Sequence, residues 1–201
     1  MSEELQRGLE GVLVAESTLS YIDGSEGQLV YRGYDIADLA DHASYEETLY
    51  LLWNGELPTE SELSSFRDAM AAERSLPAEV SQAVETLGRQ EGDPMAALQT
   101  TVSMLSAYDP DAEGADDSEA TLRQGRRITA KIPTVLAAFE RVRQGKEPFA
   151  PDPELSHAGN SLYMLTGTEP AALSGGTLRM APTPPAEHGR HDPRVTRQGH
   201  G

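Results

Sequence analysis

The sequence predicts a mainly α domain entered through a short β-hairpin. Three observations carry that expectation. Two β-capable runs, at residues 12–22 and 28–32, flank the turn-forming segment Asp23-Gly24-Ser25-Glu26-Gly27. Two capping-box spacings follow, Ser44 with Glu47 and Thr59 with Glu62. From there onward, apolar residues recur at helical intervals.

Each element has its own signal. Gly33 releases the chain from the hairpin into helical territory. The box at Ser44 opens a helix with Leu49, Leu52 and Trp53 as its apolar side and Gly55 as its stop. The box at Thr59 opens a second, over about 60–73, with Leu63, Phe66 and Met70 turned inward. Val80, Val84 and Leu87 make a third stripe. Met95, Leu98, Val102 and Leu105 make a fourth, with Asp93 as cap and Pro94 at the tolerated first position. Residues 108–117 read as an acidic, exposed connection. Ile128, Ile132, Val135, Phe139 and Val142 then follow one face of a long helix that Pro133 is expected to interrupt or kink, and Gly145 is a natural stop. A last helix is expected over about 154–165, packing through Leu155, Ala158, Leu162 and Leu165, with Gly167 near its stop. Helices this short are marginal alone in water, so they must pack on one another.

Composition narrows the function classes. The 201 residues hold no cysteine, which excludes disulfides, a thiolate nucleophile and cysteine-bound metal. The formal net charge of −17 disfavours nucleic-acid binding, since a phosphate backbone would be repelled. Lys131 and Lys146 are the two lysines among 16 basic residues. This acidic, lysine-poor balance resembles proteins adapted to concentrated salt, where screening makes high surface charge tolerable. No apolar run reaches membrane-spanning length, and MSEELQRGLE lacks a signal-peptide pattern, so the expected location is cytoplasmic.

The sequence contains no HExxH zinc motif, phosphate-binding GxxxxGKS or dinucleotide fingerprint, and no nucleophile motif. The group of most chemical interest is Ser156-His157-Ala158-Gly159-Asn160. On a helix, His157 and Asn160 share a face, set away from the Leu155/Leu162 stripe. A histidine there can donate to a carbonyl or carboxylate of a ligand, or it can be a core histidine satisfied by backbone. Both readings stand on the residues alone. Arg32 in Tyr31-Arg32-Gly33 either recognises a carboxylate through its planar fork or anchors neighbouring loops. Arg123, Arg126 and Arg127 either attract an anion or balance the acidic connection before them. His42, beside Asp41, reads as a surface or capping residue.

Three segments carry a resemblance. They are GLEGVLVAESTLSYIDGSEGQLVYRGYDIADLA, YEETLYLLWNGELPT and RRITAKIPTVLAAFERVRQGKEPFAPDPELSHAGNSLYMLTG. Together the chain resembles the citrate synthase family, archaeal and bacterial type, over about residues 7–169, the amino-terminal half of a family chain. The resemblance implies an incomplete large helical domain of that fold over 1–170. It implies condensation of acetyl-CoA with oxaloacetate to citrate and CoA, with acetyl-CoA as substrate, no bound prosthetic group, no metal and a homodimer. A 2-methylcitrate synthase, using propionyl-CoA, is the alternative, and a noncatalytic partner-binding fragment is another. The match to the family's SHxxN-like segment makes His157 the oxaloacetate-binding residue and Asn160 a support of the pocket. Ser161 stands where the family has phenylalanine, and less apolar bulk is expected to loosen this helix. Arg32 falls in a shared YRG pattern and reads chiefly as architecture.

The resemblance also implies segments that are not found. After LTGTEP, an HADHG-like segment with the first catalytic histidine and a GPLHGGAN-like segment with the second should follow, then a catalytic Asp. His188-Gly189 is a superficial echo only. No catalytic residue is therefore assigned. Of the 33 acidic side chains only Glu187 and Asp192 fall after Pro170, against four of the 16 basic ones, and three of the five histidines lie there. Residues 171–201 are expected to be an irregular, non-family tail produced by a shifted reading frame, and the chain as it stands is expected to be inactive.

Overall fold

The computed structural model of the chain describes residues 17–90, 92–112 and 117–168. The chain enters through β1 (Ser20–Asp23) and β2 (Gln28–Tyr31), paired antiparallel with Ser20 opposite Tyr31 and Asp23 opposite Gln28. Asp23 closes the loop between them. Its Oδ1 accepts from the Ser25 and Glu26 backbone N–H groups, at 2.9 and 3.1 Å. β1 begins at Ser20 within the expected run of residues 12–22, of which residues 12–16 lie outside the described residues. A two-residue strand, β3 (Tyr34–Asp35), adds to β2 through a tight turn in which Arg32 and Gly33 both have positive φ, 49° and 89°. Gly33 thus opens a further strand before the first helix, a step that periodicity over two residues cannot signal.

Seven helices follow among the described residues: α1 (Ile36–His42), α2 (Tyr45–Asn54), α3 (Glu60–Ala72), α4 (Ala78–Arg89), α5 (Pro94–Leu105), α6 (Ser118–Arg143) and α7 (His157–Thr166). Both capping boxes form, each with the hydroxyl receiving an N3 backbone N–H and the N3 glutamate returning to the cap. Gly55 and Gly167 stop α2 and α7 in the left-handed conformation. None of the described helices is long and apolar enough to cross a membrane.

The long α6 is the axis on which α3, α4, α5 and α7 pack. Val84, Ala97, Val135 and Phe139 form its core, joined by Leu76, Leu87, Leu98 and Ala138. Gly88 lets α4 cross close to α6, since a Cβ there would stand 2.9 Å from the Phe139 carbonyl oxygen. α6 runs through Pro133 unbroken. The missing N–H removes one rung of the ladder, and packing of Ala130, Thr134, Val135, Ala137 and Phe139 around the helix offsets that loss.

Several expected faces are rotated. α5 buries Ala97, Thr101 and Leu105, while Met95 is exposed. α2 buries Glu46 and Leu51, with Leu49, Leu52 and Trp53 only partly covered. α7 starts at His157, three residues later than expected, and buries His157, Gly159, Asn160 and Met164, while Leu165 is exposed. In each case the true inward face carries small or polar residues, which a count of large apolar residues overlooks. The acidic connection is also not simply exposed. A 3-10 turn at Ser106–Tyr108 leads Asp109 and Asp111 back onto α6.

Candidate functional site: the amino-terminal end of α7

Ser156 caps α7, its hydroxyl accepting from the Gly159 N–H at 3.1 Å. His157 occupies the first helical position, where its own N–H lacks an intrahelical partner. Glu46, the second residue of α2, fills that need, its Oε1 accepting from the His157 N–H at 2.7 Å. Tyr45 stacks on the imidazole with centroids 4.9 Å apart and planes inclined by 8°. His157 is 6% exposed and Glu46 3% exposed, so both sit in a low-dielectric setting.

Arg74 completes the surroundings from the connection after α3. It is 3% exposed and donates to the carbonyls of Asp152 and Leu155 at 2.6 and 2.9 Å. These bonds hold the loop that leads into α7. Asn160 holds the same loop from the other side, its Oδ1 accepting from the Asp152 N–H at 2.8 Å, with Nδ2 on the Met164 sulfur at 3.7 Å. Ser161 donates to the His157 carbonyl at 2.7 Å, and α7 continues through it to Thr166. The Ser161 hydroxyl thus bonds back within the helix at the position where less apolar bulk was expected to loosen it.

Burial pushes the His157 imidazole below its ordinary value, and Arg74 adds to that effect while Glu46 opposes it. The ring is neutral at neutral pH, with one nitrogen a donor and the other an acceptor. Its buried Nδ1 has no hydrogen-bond partner among the described residues. A neutral imidazole at a helix N-terminus, where backbone dipoles favour negative charge, suits a ligand bearing carbonyl and carboxylate oxygens.

Among the other candidates, Arg32, Arg123 and Arg127 make structural contacts. Arg32 donates from Nε and Nη2 to the Leu52 carbonyl at 3.3 and 3.0 Å, and from Nη1 to Thr18, tying the hairpin to the carboxyl end of α2. Arg127 pairs with Asp109 at 2.6 Å and with Asp111 at 2.5 Å, and Arg123 pairs with Asp111 at 2.8 Å. Arg126 instead lines a shallow cleft with Tyr50, Glu62 and Phe66, away from His157. His42 Nδ1 lies 3.1 Å from the Asp38 carbonyl at the end of α1. No group of three or more potential metal ligands occurs among the described residues.

Sequence reasoning missed Tyr45, Glu46 and Arg74. Glu46 stands beside the capping Glu47, and nothing local distinguishes the inward carboxylate from the capping one. Arg74 sits in a short connection whose charge reads as surface.

The model of the family "Citrate synthase, C-terminal domain" matches residues 8–191. The chain belongs to the citrate synthase family. The matched interval runs past Pro170, beyond the point where the motif resemblance was expected to stop. The citrate synthase of Haloferax volcanii is 56% identical over 191 residues, covering 94% of this chain and 50% of that protein. A 2-methylcitrate synthase of Mycobacterium tuberculosis is 34% identical, covering 92% of this chain and 46% of its own length. The crystal structure of citrate synthase from Pyrobaculum aerophilum matches with a TM-score of 0.75 at 36% identity, covering 81% of this chain and 42% of that one. A citrate synthase from Thermoplasma acidophilum, solved as a ternary complex with carboxymethyl coenzyme A and oxaloacetate, matches with a TM-score of 0.75 at 27% identity, covering 84% of this chain and 44% of that one. The helices and small sheet therefore follow the helical fold of citrate synthase structures. The chain spans about half the length of the curated relatives it matches.

Proposed function

We propose that these residues form the oxaloacetate-binding part of a citrate synthase. In the complete protein, oxaloacetate is joined to the methyl carbon of acetyl-CoA, and the citryl thioester is hydrolysed to citrate and CoA. His157 binds oxaloacetate and Asn160 supports the pocket by fixing the loop before α7. The observation that carries this reading is a buried imidazole, held neutral at a helix N-terminus, whose Nδ1 has no partner among the described residues. A neutral ring can donate one hydrogen bond to a substrate oxygen without the cost of burying a charge.

Binding positions only one reactant. Carbon–carbon bond formation also needs a base for the acetyl-CoA methyl and donors for the developing oxygen charge, arranged together. The family segments expected to carry these groups do not occur in the 201 residues. The chain alone therefore has no turnover, and a complete, homodimeric, cytoplasmic protein does. Residues 1–170 belong to the large helical domain, and 171–201, which lie outside the described residues, are a non-family tail. The charge reversal after Pro170 supports that division, and the family match through residue 191 weighs against so early a boundary. Translating the coding DNA in all three frames tests it: an HADHG-like segment in another frame supports the shifted-frame account, and none in any frame overturns it.

The activity is tested by following CoA thiol release. The complete protein should require both acetyl-CoA and oxaloacetate, and propionyl-CoA should be the poorer acyl donor. Mass-verified 201-residue chain should give none in low or high salt. Turnover by the chain alone, dependent on both substrates, would overturn the inactive-fragment reading.

A further inference from the structure

We propose that Glu46 is a positioning residue for oxaloacetate binding, acting through His157 by holding its backbone N–H. This rests on the reading of His157 as the oxaloacetate ligand. The sequence separation is large, 111 residues, and the contact is made within the buried interior at 2.7 Å. Two consecutive residues of α2 therefore hold both halves of His157: Glu46 the backbone and Tyr45 the ring face.

The chemistry favours a positioning role. A carboxylate that is 3% exposed costs stability unless it is bonded, and hydrophobic residues pack such a site at lower cost. Glu47 already supplies the capping-box contacts of α2, so Glu46 is not needed to start that helix. Its Oε1 instead terminates on the first residue of α7. Placed there, it satisfies the His157 N–H, one of the orphan donors at the helix start, and so restrains that residue from fraying. Arg74 and Asn160 hold the preceding loop, and among the described residues Glu46 is the hydrogen-bonded restraint on His157 from outside α7.

The test uses the complete protein and two variants that separate reach from charge. Glu46→Asp keeps the charge and shortens the side chain by one methylene, so the acceptor no longer reaches the His157 N–H. Glu46→Gln keeps an oxygen acceptor at full reach and removes the charge. Loss of one buried, charge-assisted hydrogen bond corresponds to roughly a tenfold effect. Glu46→Asp should raise KM for oxaloacetate roughly tenfold with kcat changed less than about threefold, and Glu46→Gln should stay within about threefold of wild type on both. In a His157→Ala background, Glu46→Asp should add nothing to KM, which a general effect on folding would not reproduce. Unchanged KM in Glu46→Asp, or equal damage in Glu46→Gln, overturns the proposal. If His157→Ala alone leaves KM unchanged, the underlying reading of His157 fails instead, so the two failures are distinguishable.

Discussion

Replacing Gly88 with alanine sets two opposing effects against each other. Alanine lowers the conformational entropy of the unfolded chain and favours helix, a gain of at most about 1 kcal/mol. Against this, the new methyl would stand 2.9 Å from the Phe139 carbonyl oxygen, 3.0 Å from Val142 Cβ and 3.1 Å from Val142 Cγ1. The nearest of these atoms is backbone of α6, which is packed by several helices and cannot withdraw as a flexible side chain could. Overpacking of this kind costs about 1–3 kcal/mol. The crowding term should win, for a net loss of about 1–2 kcal/mol. Gly125, also helical, is the control, because nothing lies within 4 Å of the Cβ it would carry. Gly125→Ala should stabilise by about 0.5–1 kcal/mol. Both variants are to be compared with wild type by denaturant unfolding, reading the midpoint at unchanged slope. A stabilised Gly88→Ala, or a destabilised Gly125→Ala, would refute the packing argument.

Other consequences follow from the same structure. Gly167→Ala combines a left-handed φ of 75° with a Cβ 2.6 Å from Phe149 Cε2, and should cost about 2 kcal/mol in the same unfolding measurement. The Asp109 carboxyl is held below the ordinary value by Arg127, and that of Asp111 by Arg123 and then Arg127. Their contribution to stability is present in full above the unfolded value of 3.8 and is lost as pH falls through the lower folded values. Arg127→Gln should therefore lower the melting temperature at pH 7 and flatten its decline in acid; an unchanged acid limb would contradict this. His157 has a lowered folded value relative to 6.5, so the unfolded chain takes up its proton first as pH falls. The stability of wild type relative to His157→Gln should decline as pH falls through 6.5, and a constant difference between pH 8 and pH 5 would show that the imidazole is not buried neutral.

The parts of the fold legible in sequence were those written in local chemistry. The two capping boxes, the Asp93-Pro94 start and the glycine stops at Gly55 and Gly167 each satisfy backbone groups within a few residues, so their signals are local too. Faces were harder. α7 shows why: Leu162 is half-buried and Leu165 exposed, while His157 and Asn160 are buried, the His157 backbone N–H bonded to Glu46 and the Asn160 side chain to the Asp152 backbone. Those partners lie elsewhere in the chain, and no window around α7 contains all of them. The same holds for the acidic connection, whose Asp109 and Asp111 look solvated until Arg123 and Arg127 are brought beside them. The role proposed for His157 rests on its motif, since the residues alone leave a core histidine equally open. Glu46 had no such signal, since its role depends on a contact 111 residues away.

Whether His157 is the oxaloacetate ligand is tested by titrating oxaloacetate into the complete protein in a calorimeter. Wild type and His157→Ala are compared at pH 7, with circular dichroism verifying that both are folded. The variant should bind oxaloacetate at least roughly tenfold more weakly, the loss of one buried hydrogen bond to a charged ligand. Equal affinity in a folded His157→Ala protein would contradict that role.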